Sequence, residues 1–554
     1  MQQLQTLDYL VFLFYFVVVA SYGYWIYNQK KSESANTKDF FLAEGSLTWW
    51  AIGASLIASN ISAEQFIGMA GNGFSMGLGI STYEWMAAAT LLVVATFFMP
   101  IYLKNRIFTM PQFLNQRYNG TVSTIMAIFW LGLYILVNLT SILYLGALAV
   151  SGISGLDFYG CMVGLAVFAI IITLGGMKVI GYTDVIQVVF LIVGGLATTY
   201  LAVTLVSTAY DGSGGLMNGL SLMMEKSADH FHMMFKPNQL TYIDGKGATK
   251  DTYMALPGLT VLVGAMWIVN LNYWGCNQYI TQRALGADLK TARRGILFAA
   301  FLKLLMPIIV TLPGIAAYTL YQKGLFHAEM LNDKGFILQD KAYPVLLNLL
   351  PTGLKGLSFA ALTAAIVASL AGKANSISTI FTLDIYKKFF GQNQTEQQLV
   401  WVGRIVVVVA MVMAIVISPF MGIDKEGGFQ FIQEMTGLLS PGIFASFVMG
   451  FFWKRTNSAG ALWAIVGGFL MALFMHNNIQ LPFLAIDWSA IPFLDRMGIV
   501  FLLCVLGMVV LGFILPDEKK GLEIDTKMFK LDTGFAFGAS VILICLVGIY
   551  WYFW

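Results

Sequence analysis

Residues 49–73 read WWAIGASLIASNISAEQFIGMAGNG. The two ends of this stretch are apolar enough for the interior of a lipid bilayer, but its middle, Ser59-Asn60-Ile61-Ser62-Ala63-Glu64-Gln65, is not. A straight helix crossing a bilayer gains nothing from polar and small residues at mid-depth. A helix that unwinds there frees carbonyls that can coordinate a cation and side chains that can bind a polar solute. The alternative is a face of small residues for helix packing. The polar run favours the break.

The rest of the chain supplies the lipid context. It has 554 residues, 58% of them hydrophobic and 11% charged, with a mean hydropathy of +0.74. A soluble domain is nearer a quarter charged, about 25%, so the solvent of this chain is lipid. A net charge of +3 is too small to suggest nucleic-acid binding. Cys161, Cys276, Cys504 and Cys545 all lie in apolar segments, without CxxC or zinc spacing, which argues against a disulfide framework or a metal cluster. His230, His232 and His327 fall in polar loops and offer no buried catalytic base. Residues 8–27 lack the basic flank of a cleavable signal, since Lys30 and Lys31 follow the apolar stretch. They read as a retained first span.

Segments of roughly 20 apolar residues predict about fourteen spans, near 8–27, 49–72, 78–103, 122–150, 158–176, 184–206, 256–276, 295–321, 356–385, 399–418, 428–453, 459–475, 497–515 and 533–554. The fold class is therefore an all-α integral membrane protein, in one transporter domain. Alternate loops carry Lys30/Lys31/Lys38, Lys104/Arg106/Arg117, Lys178, Arg283/Lys290/Arg293/Arg294, Lys387/Lys388, Lys454/Arg455 and Lys519/Lys520. The positive-inside rule places these on the cytoplasmic side and both termini outside. The long loops 207–255 and 322–355 then lie outside, either covering the outer mouth or serving as connectors.

Ionisable residues inside a membrane are expensive and mark functional positions. Here they are Glu64, Glu84, Asp184, Lys303, Lys373 and Glu434. A second polar interruption is predicted at Asn270-Leu271-Asn272-Tyr273-Trp274-Gly275. It and the first fall in the opening spans of two five-span blocks, 49–206 and 256–453, the pattern of inverted repeats with a site at their interface. On this reading 8–27 is an extra N-terminal span and 459–554 holds accessory spans. Tyr83, Trp85, Tyr273, Trp274 and Phe429 adjoin the polar residues. Flat aromatics beside Asn, Gln, Glu and Lys suit a sugar, which offers C–H faces and a ring of hydroxyls.

The segments GASLIASNISAEQFIGM, YEWM, NLNYWGCNQYITQR, FAALTAAIVASLAGKANSISTIFTLDIY and FQFIQEMTGLLSPGI together resemble the sodium/solute symporter family, most closely its sodium/glucose and sodium/galactose members. The resemblance runs from about residue 8 to the C-terminus. It implies a LeuT-like core of two inverted five-helix repeats that works by alternating access, with sodium and a sugar as co-substrates. It assigns sugar contacts to Asn60, Gln65, Glu84, Asn270, Lys303 and Gln433. Met69, Tyr83 and Phe429 become the outer gate, and Tyr273 and Trp274 the inner side. The sodium position matches backbone carbonyls of Ala58, Ile61 and Ala365 with hydroxyls at 368 and 369, and Asp184 matches an acid near the ion's inward exit. A bacterial plasma membrane is the implied location.

Three positions depart from that pattern. Ala87 stands where sugar-binding members often carry a serine. Ala368 replaces one sodium-coordinating hydroxyl, leaving Ser369. Lys373 lies one helical turn after Ser369, on the same face, where an uncharged residue is the rule; pairing with Asp184, snorkelling to the interface, or partial replacement of sodium are its possible roles. Functional readings from other classes are weaker. A symporter of sialic acid or an amino acid would place an anion opposite Glu84, no soluble sensor domain follows the last span, and no catalytic constellation or ATP-binding loop is present.

Overall fold

The computed structural model describes residues 4–29, 47–331, 335–391, 393–421, 428–480, 486–515, 522 and 524–554. Lys30, Lys31, Lys38, Lys519 and Lys520, part of the predicted charge bias, lie outside them. Nearly all of the described chain is helical, apart from a two-stranded hairpin, Thr241–Ile243 with Thr249–Asp251, in the first long loop.

Ten helices among the described residues are long and apolar enough to span a membrane, or twelve if two sharply bent pairs are each counted as one span. The expected fourteen is not reached by this measure. Phe158–Thr173 is too short to be included, and Glu64–Lys104 counts as one span although the chain turns at Gly77, where φ is +70°. That turn has room only for glycine, since a Cβ would sit 2.4 Å from the His230 carbonyl oxygen.

Eleven helices frame the site: α1 (Thr6–Gln29), α2 (Trp49–Asn60), α3 (Ala70–Met76), α4 (Thr82–Val93), α5 (Gly176–Asp211), α6 (Ala265–Gly275), α7 (Gln278–Leu285), α8 (Leu289–Gln322), α9 (Leu354–Thr379), α10 (Gly428–Gly437) and α11 (Ser440–Phe452). Helix α9 is the central post. It is buried from Ser358 to Thr379 and packs along α5, with α1, α2 and α7 also against it. Helix α8 runs between α2, α3, α4 and α5. The outer helices Phe493–Ile514 and Thr533–Tyr552 expose Leu502, Leu506, Phe513, Ile544, Val547 and Trp551. Apolar faces of this size are stable against acyl chains and not against water.

The first span breaks inside the polar run. Helix α2 ends at Asn60, and Ile61 is extended (φ −83°, ψ 114°). A π-helical turn, Glu64–Met69, then leads into α3. Capping explains the position of the break: the Ser62 N–H turns to Gln65 Oε1 (3.0 Å) and the Glu64 N–H to Ser62 Oγ (3.1 Å). The Ala58 and Asn60 carbonyls thereby lose the donors that a continuous helix would give them.

The second interruption is not where the sequence places it. Asn270–Gly275 is continuous helix, because the Asn270 side chain bonds back to the Met266 carbonyl (3.2 Å) instead of displacing a backbone bond. The chain breaks on either side. It bends by 78° at Gly264, and it leaves helical form at Cys276-Asn277 before α7. At that second break Asn277 Oδ1 caps α7 through the Tyr279 N–H (3.1 Å), and Tyr102 donates to the Gly275 carbonyl (2.6 Å).

The long loops pack over one end of the broken span. The backbone of His230 lies on Gly77, Phe235 on Gly79, and Gln339 with Asp340 on Gly71. His230, expected to be exposed in a polar loop, is buried, bonded to the Phe74 carbonyl (3.0 Å) and stacked on Tyr318 (3.8 Å between centroids). At the opposite end Lys104, Arg117 and Lys454 line one cavity of about 480 Å³. Arg117 bonds four backbone carbonyls there, those of Gly450, Trp453, Lys454 and Thr456.

Candidate functional site

The two breaks put polar groups at the middle of the bundle in two adjoining layers. The first is built on Lys303 of α8, which is fully buried. Its ammonium donates to the Glu84 carboxylate and to the Asn60 side-chain oxygen, and lies 5.1 Å from the centre of the Trp274 ring. Glu84 sits in the first turn of α4, where the positive end of the helix dipole favours a carboxylate. Tyr273 lies against Asn60 and is edge-on to Trp274 (5.2 Å, 79°). Four elements far apart in sequence, α2, α4, α6 and α8, thus meet at one charge pair. Removing one partner would strand the other in a medium where an unpaired charge costs several kcal/mol, about 3–5.

Gln433 of α10 is also brought in, but its Nε2 contacts Glu64 (3.3 Å). Two residues assigned to the sugar are engaged elsewhere. Gln65 accepts from the Ser62 N–H and hydroxyl, so it holds the break open from within. Asn270 bonds its own helix. Conversely Glu64, singled out only as an intramembrane acid, is the side chain that meets Gln433. A period of 3.6 cannot decide between neighbours 64 and 65, because the π-helical turn that carries them shifts the register.

Above this layer Tyr83 and Phe429 meet edge to face (5.1 Å, 88°), and Met69, next in sequence to Gly68, is fully buried. The closure is tight. Gly68 lies so near α10 that a Cβ would come within 2.7 Å of the Phe429 nitrogen. Asp340, in the loop between α8 and α9, accepts from the Gly428 N–H at the start of α10 (2.8 Å), while its other oxygen, buried, has no partner. Burial pushes the Asp340 carboxyl up to about 6, against the opposing effect of that N–H. Nothing in the local sequence marks Asp340.

The second layer lies between α2, α7 and α9. Ser369 donates to the Ser59 carbonyl (3.1 Å), and the Tyr279 hydroxyl donates to the same carbonyl and lies 3.1 Å from Ser369 Oγ. The freed Ala58 carbonyl and the extended Ile61 belong to this break. Ala365 lies one turn before Ser369 on α9, and Ala368 contributes only a methyl group. Oxygen donors at an unwound helix suit a hard cation. Ser59, Tyr279 and Arg283 were not assigned to this layer; Tyr279 and Arg283 lie in the quoted segment NLNYWGCNQYITQR, but only the second break shows that they face α2. Asp184 accepts from Ser55 Oγ (2.5 Å), which in turn accepts from Arg283 Nε (2.9 Å). Lys373 does not pair with Asp184. Its ammonium lies 5.0 Å from the centre of the Tyr279 ring, and the Arg283 guanidinium 4.9 Å from the same centre.

Comparison with known proteins places this geometry. A family profile described as "Sodium:solute symporter family" matches residues 40–468. The chain is 44% identical to a sodium/glucose cotransporter of Vibrio parahaemolyticus, over its whole length and 99% of that protein. It is 35% identical to human sodium/myo-inositol cotransporter 2, over 84% of this chain and 69% of that one. A sodium-coupled sialic acid symporter has the same fold, with a TM-score of 0.76 at 22% identity, covering 93% of this chain and 99% of that one. The closed form of Mhp1, a nucleobase-cation-symport-1 family transporter, gives 0.53 at 13% identity, over 88% and 98%.

Proposed function

This chain belongs to the sodium:solute symporter family, and we propose that it couples the downhill entry of sodium to the uptake of a neutral sugar or polyol. It is a secondary transporter and not an enzyme. The observation that carries the choice of substrate is the Lys303–Glu84–Asn60 cluster against Trp274. The charge pair is self-neutralised, so it offers donors and acceptors to hydroxyl groups without holding a net charge for an anion. The indole beside it is a flat apolar wall for the C–H face of a ring.

The roles follow from the two layers. Asn60, Glu84 and Lys303, with Gln433 and Glu64, hydrogen-bond the solute, and Trp274 and Tyr273 bound it on the inner side. Tyr83, Phe429 and Met69 close the outer side. Sodium is cargo of the second layer, held by carbonyls of Ala58, Ser59, Ile61 and Ala365 and the hydroxyl of Ser369. Asp184 lies on its inward exit. The blocks 49–206 and 256–453 are the inverted repeats whose relative movement exposes the layers alternately. Coupling requires only that both cargoes favour the same conformation, so that each raises the other's affinity. The Vibrio relative supports a bacterial inner membrane as the setting, and the basic loops support an orientation with both termini outside.

Uptake of labelled glucose and myo-inositol by proteoliposomes, under an inward sodium gradient or an equal choline gradient, tests the proposal. Accumulation above equilibrium with sodium alone, abolished in Lys303→Ala, is the expected result. Uptake of an anionic sugar in place of both neutral solutes would overturn the substrate assignment.

A further inference from the structure

Of the six intramembrane charges, these roles leave Lys373 and Glu434 without a task, and Glu434 is bonded to Gln430 of its own helix. Lys373 is 3% exposed, and among the described residues its ammonium makes no hydrogen bond and no ion pair; the Tyr279 ring is its contact. The helix cannot shift it away. A Cβ on Gly372 would lie 2.4 Å from Arg283 Nη2 and 2.8 Å from Tyr279 Cε2, so α9 is locked against α7 at that point. The charged and titratable groups facing Lys373 are Glu64 on the π-helical turn and Arg283 with Tyr279 on α7. Of these, Glu64 is the one acid, and Arg283 carries the same charge as Lys373. Glu64 itself is bonded to Gln433 in the solute layer.

Two facts follow from this placement. Ser369 and Lys373 are one turn apart, roughly 6 Å between their Cβ atoms, so a sodium ion beside Ser369 arrives next to a resident cation. Tyr279 connects them directly, with its hydroxyl on Ser59 and Ser369 and its ring on the ammonium.

We propose that Lys373 is the coupling residue of this carrier: sodium entering at Ser59 and Ser369 repels its ammonium from Tyr279 onto Glu64, and Glu64 passes the change to Gln433 and the solute. This rests on the sodium-coupled reading above and names the element that links its two sites. The coupling is electrostatic and needs no bond to form or break. Lys373 is a positioning residue that acts through Tyr279 and Glu64. It also makes sodium binding weaker than the oxygen set alone would allow, because the ion must displace a like charge.

The test separates ion binding from transport. The sodium-induced rise in Tm of the purified protein is titrated with sodium chloride against choline chloride, with no sugar present, for wild type, Lys373→Met, Lys373→Arg and Glu64→Gln. Glucose and myo-inositol binding is then measured with and without sodium for each. Lys373→Met is expected to lower the sodium half-saturation by about tenfold and to abolish the effect of sodium on sugar affinity. Lys373→Arg keeps the charge and retains both properties in part. Glu64→Gln loses the effect on sugar affinity without tightening sodium. Wild-type sodium half-saturation and wild-type coupling in Lys373→Met would overturn the proposal; should that variant not purify as a single species, Lys373→Gln is read by the same criteria. If wild type shows a sodium shift but binds neither sugar, the substrate assignment has failed, while the sodium titrations still decide the role of Lys373.

Discussion

A single buried ammonium organises the solute layer, and its removal tests the layer at its root. Lys303→Met leaves Glu84 unpaired in the bundle, so it should destabilise the protein by about 3–5 kcal/mol. Glu84→Gln should do the same from the other side, and the double variant should recover part of the loss, which a thermal-unfolding double-mutant cycle measures. Asp340 makes a pH prediction. Burial raises its carboxyl from 3.8 to about 6, so the fold favours the protonated form even though the Gly428 N–H at α10 holds the carboxylate. The stabilisation is full below about pH 4 and is lost as pH rises through 6. It amounts to about 3 kcal/mol at most, at 1.36 kcal/mol per unit. Wild type should therefore lose stability relative to Asp340→Asn between pH 4 and 7; parallel Tm profiles for the two proteins would contradict this. Lys303 and Glu84 were legible in the sequence because charge at membrane depth is rare, and Asn60 because it stands in the polar run 59–65. Asp340 was not, because an acid in a polar loop carries no signal until the loop is seen folded over Gly71 and Gly428.

The broken helices were legible to different degrees. In 49–73 the polar run and the break coincide, since Ser62 and Gln65 supply the hydrogen bonds that end α2. In 270–275 the polar residues stay helical and the break falls at Cys276-Asn277, where an asparagine caps the next helix. Asparagine before a helix is a start signal, and reading Asn277 that way would have found it. Which of Glu64 and Gln65 meets Gln433 was beyond pattern reading, because the π-helical turn changes the register. Close helix approaches give an independent prediction. A Cβ on Gly314 of α8 would lie 2.0 Å from the Ala70 carbonyl oxygen, so Gly314→Ala should destabilise by about 1–3 kcal/mol, read as a lower Tm without sodium or sugar. Gly132 has nothing within 4 Å of such a Cβ, and Gly132→Ala should leave Tm within a degree or two of wild type.

Across the whole molecule, the two interrupted spans meet α8 in one layer and the central post α9 in the other, and one end of the first span is covered by loops and by the Tyr83–Phe429 contact. That arrangement is a site closed towards the loop side, as alternating access requires of one of its states. Composition and span pattern made the fold class legible in the sequence; the division of the polar residues into two layers came from Tyr279 and Ser369 meeting at Ser59. The central claim is that movement of a neutral sugar or polyol depends on a sodium ion in that second layer. The most direct measurement is accumulation of labelled glucose and myo-inositol in proteoliposomes bearing wild type or Ser369→Ala, under sodium and choline gradients. The account predicts accumulation above equilibrium for wild type with sodium only, and a sodium half-saturation raised about tenfold in Ser369→Ala, the loss of one charge-assisted oxygen contact. Equal uptake under sodium and choline, or a Ser369→Ala variant with wild-type sodium dependence, would contradict it.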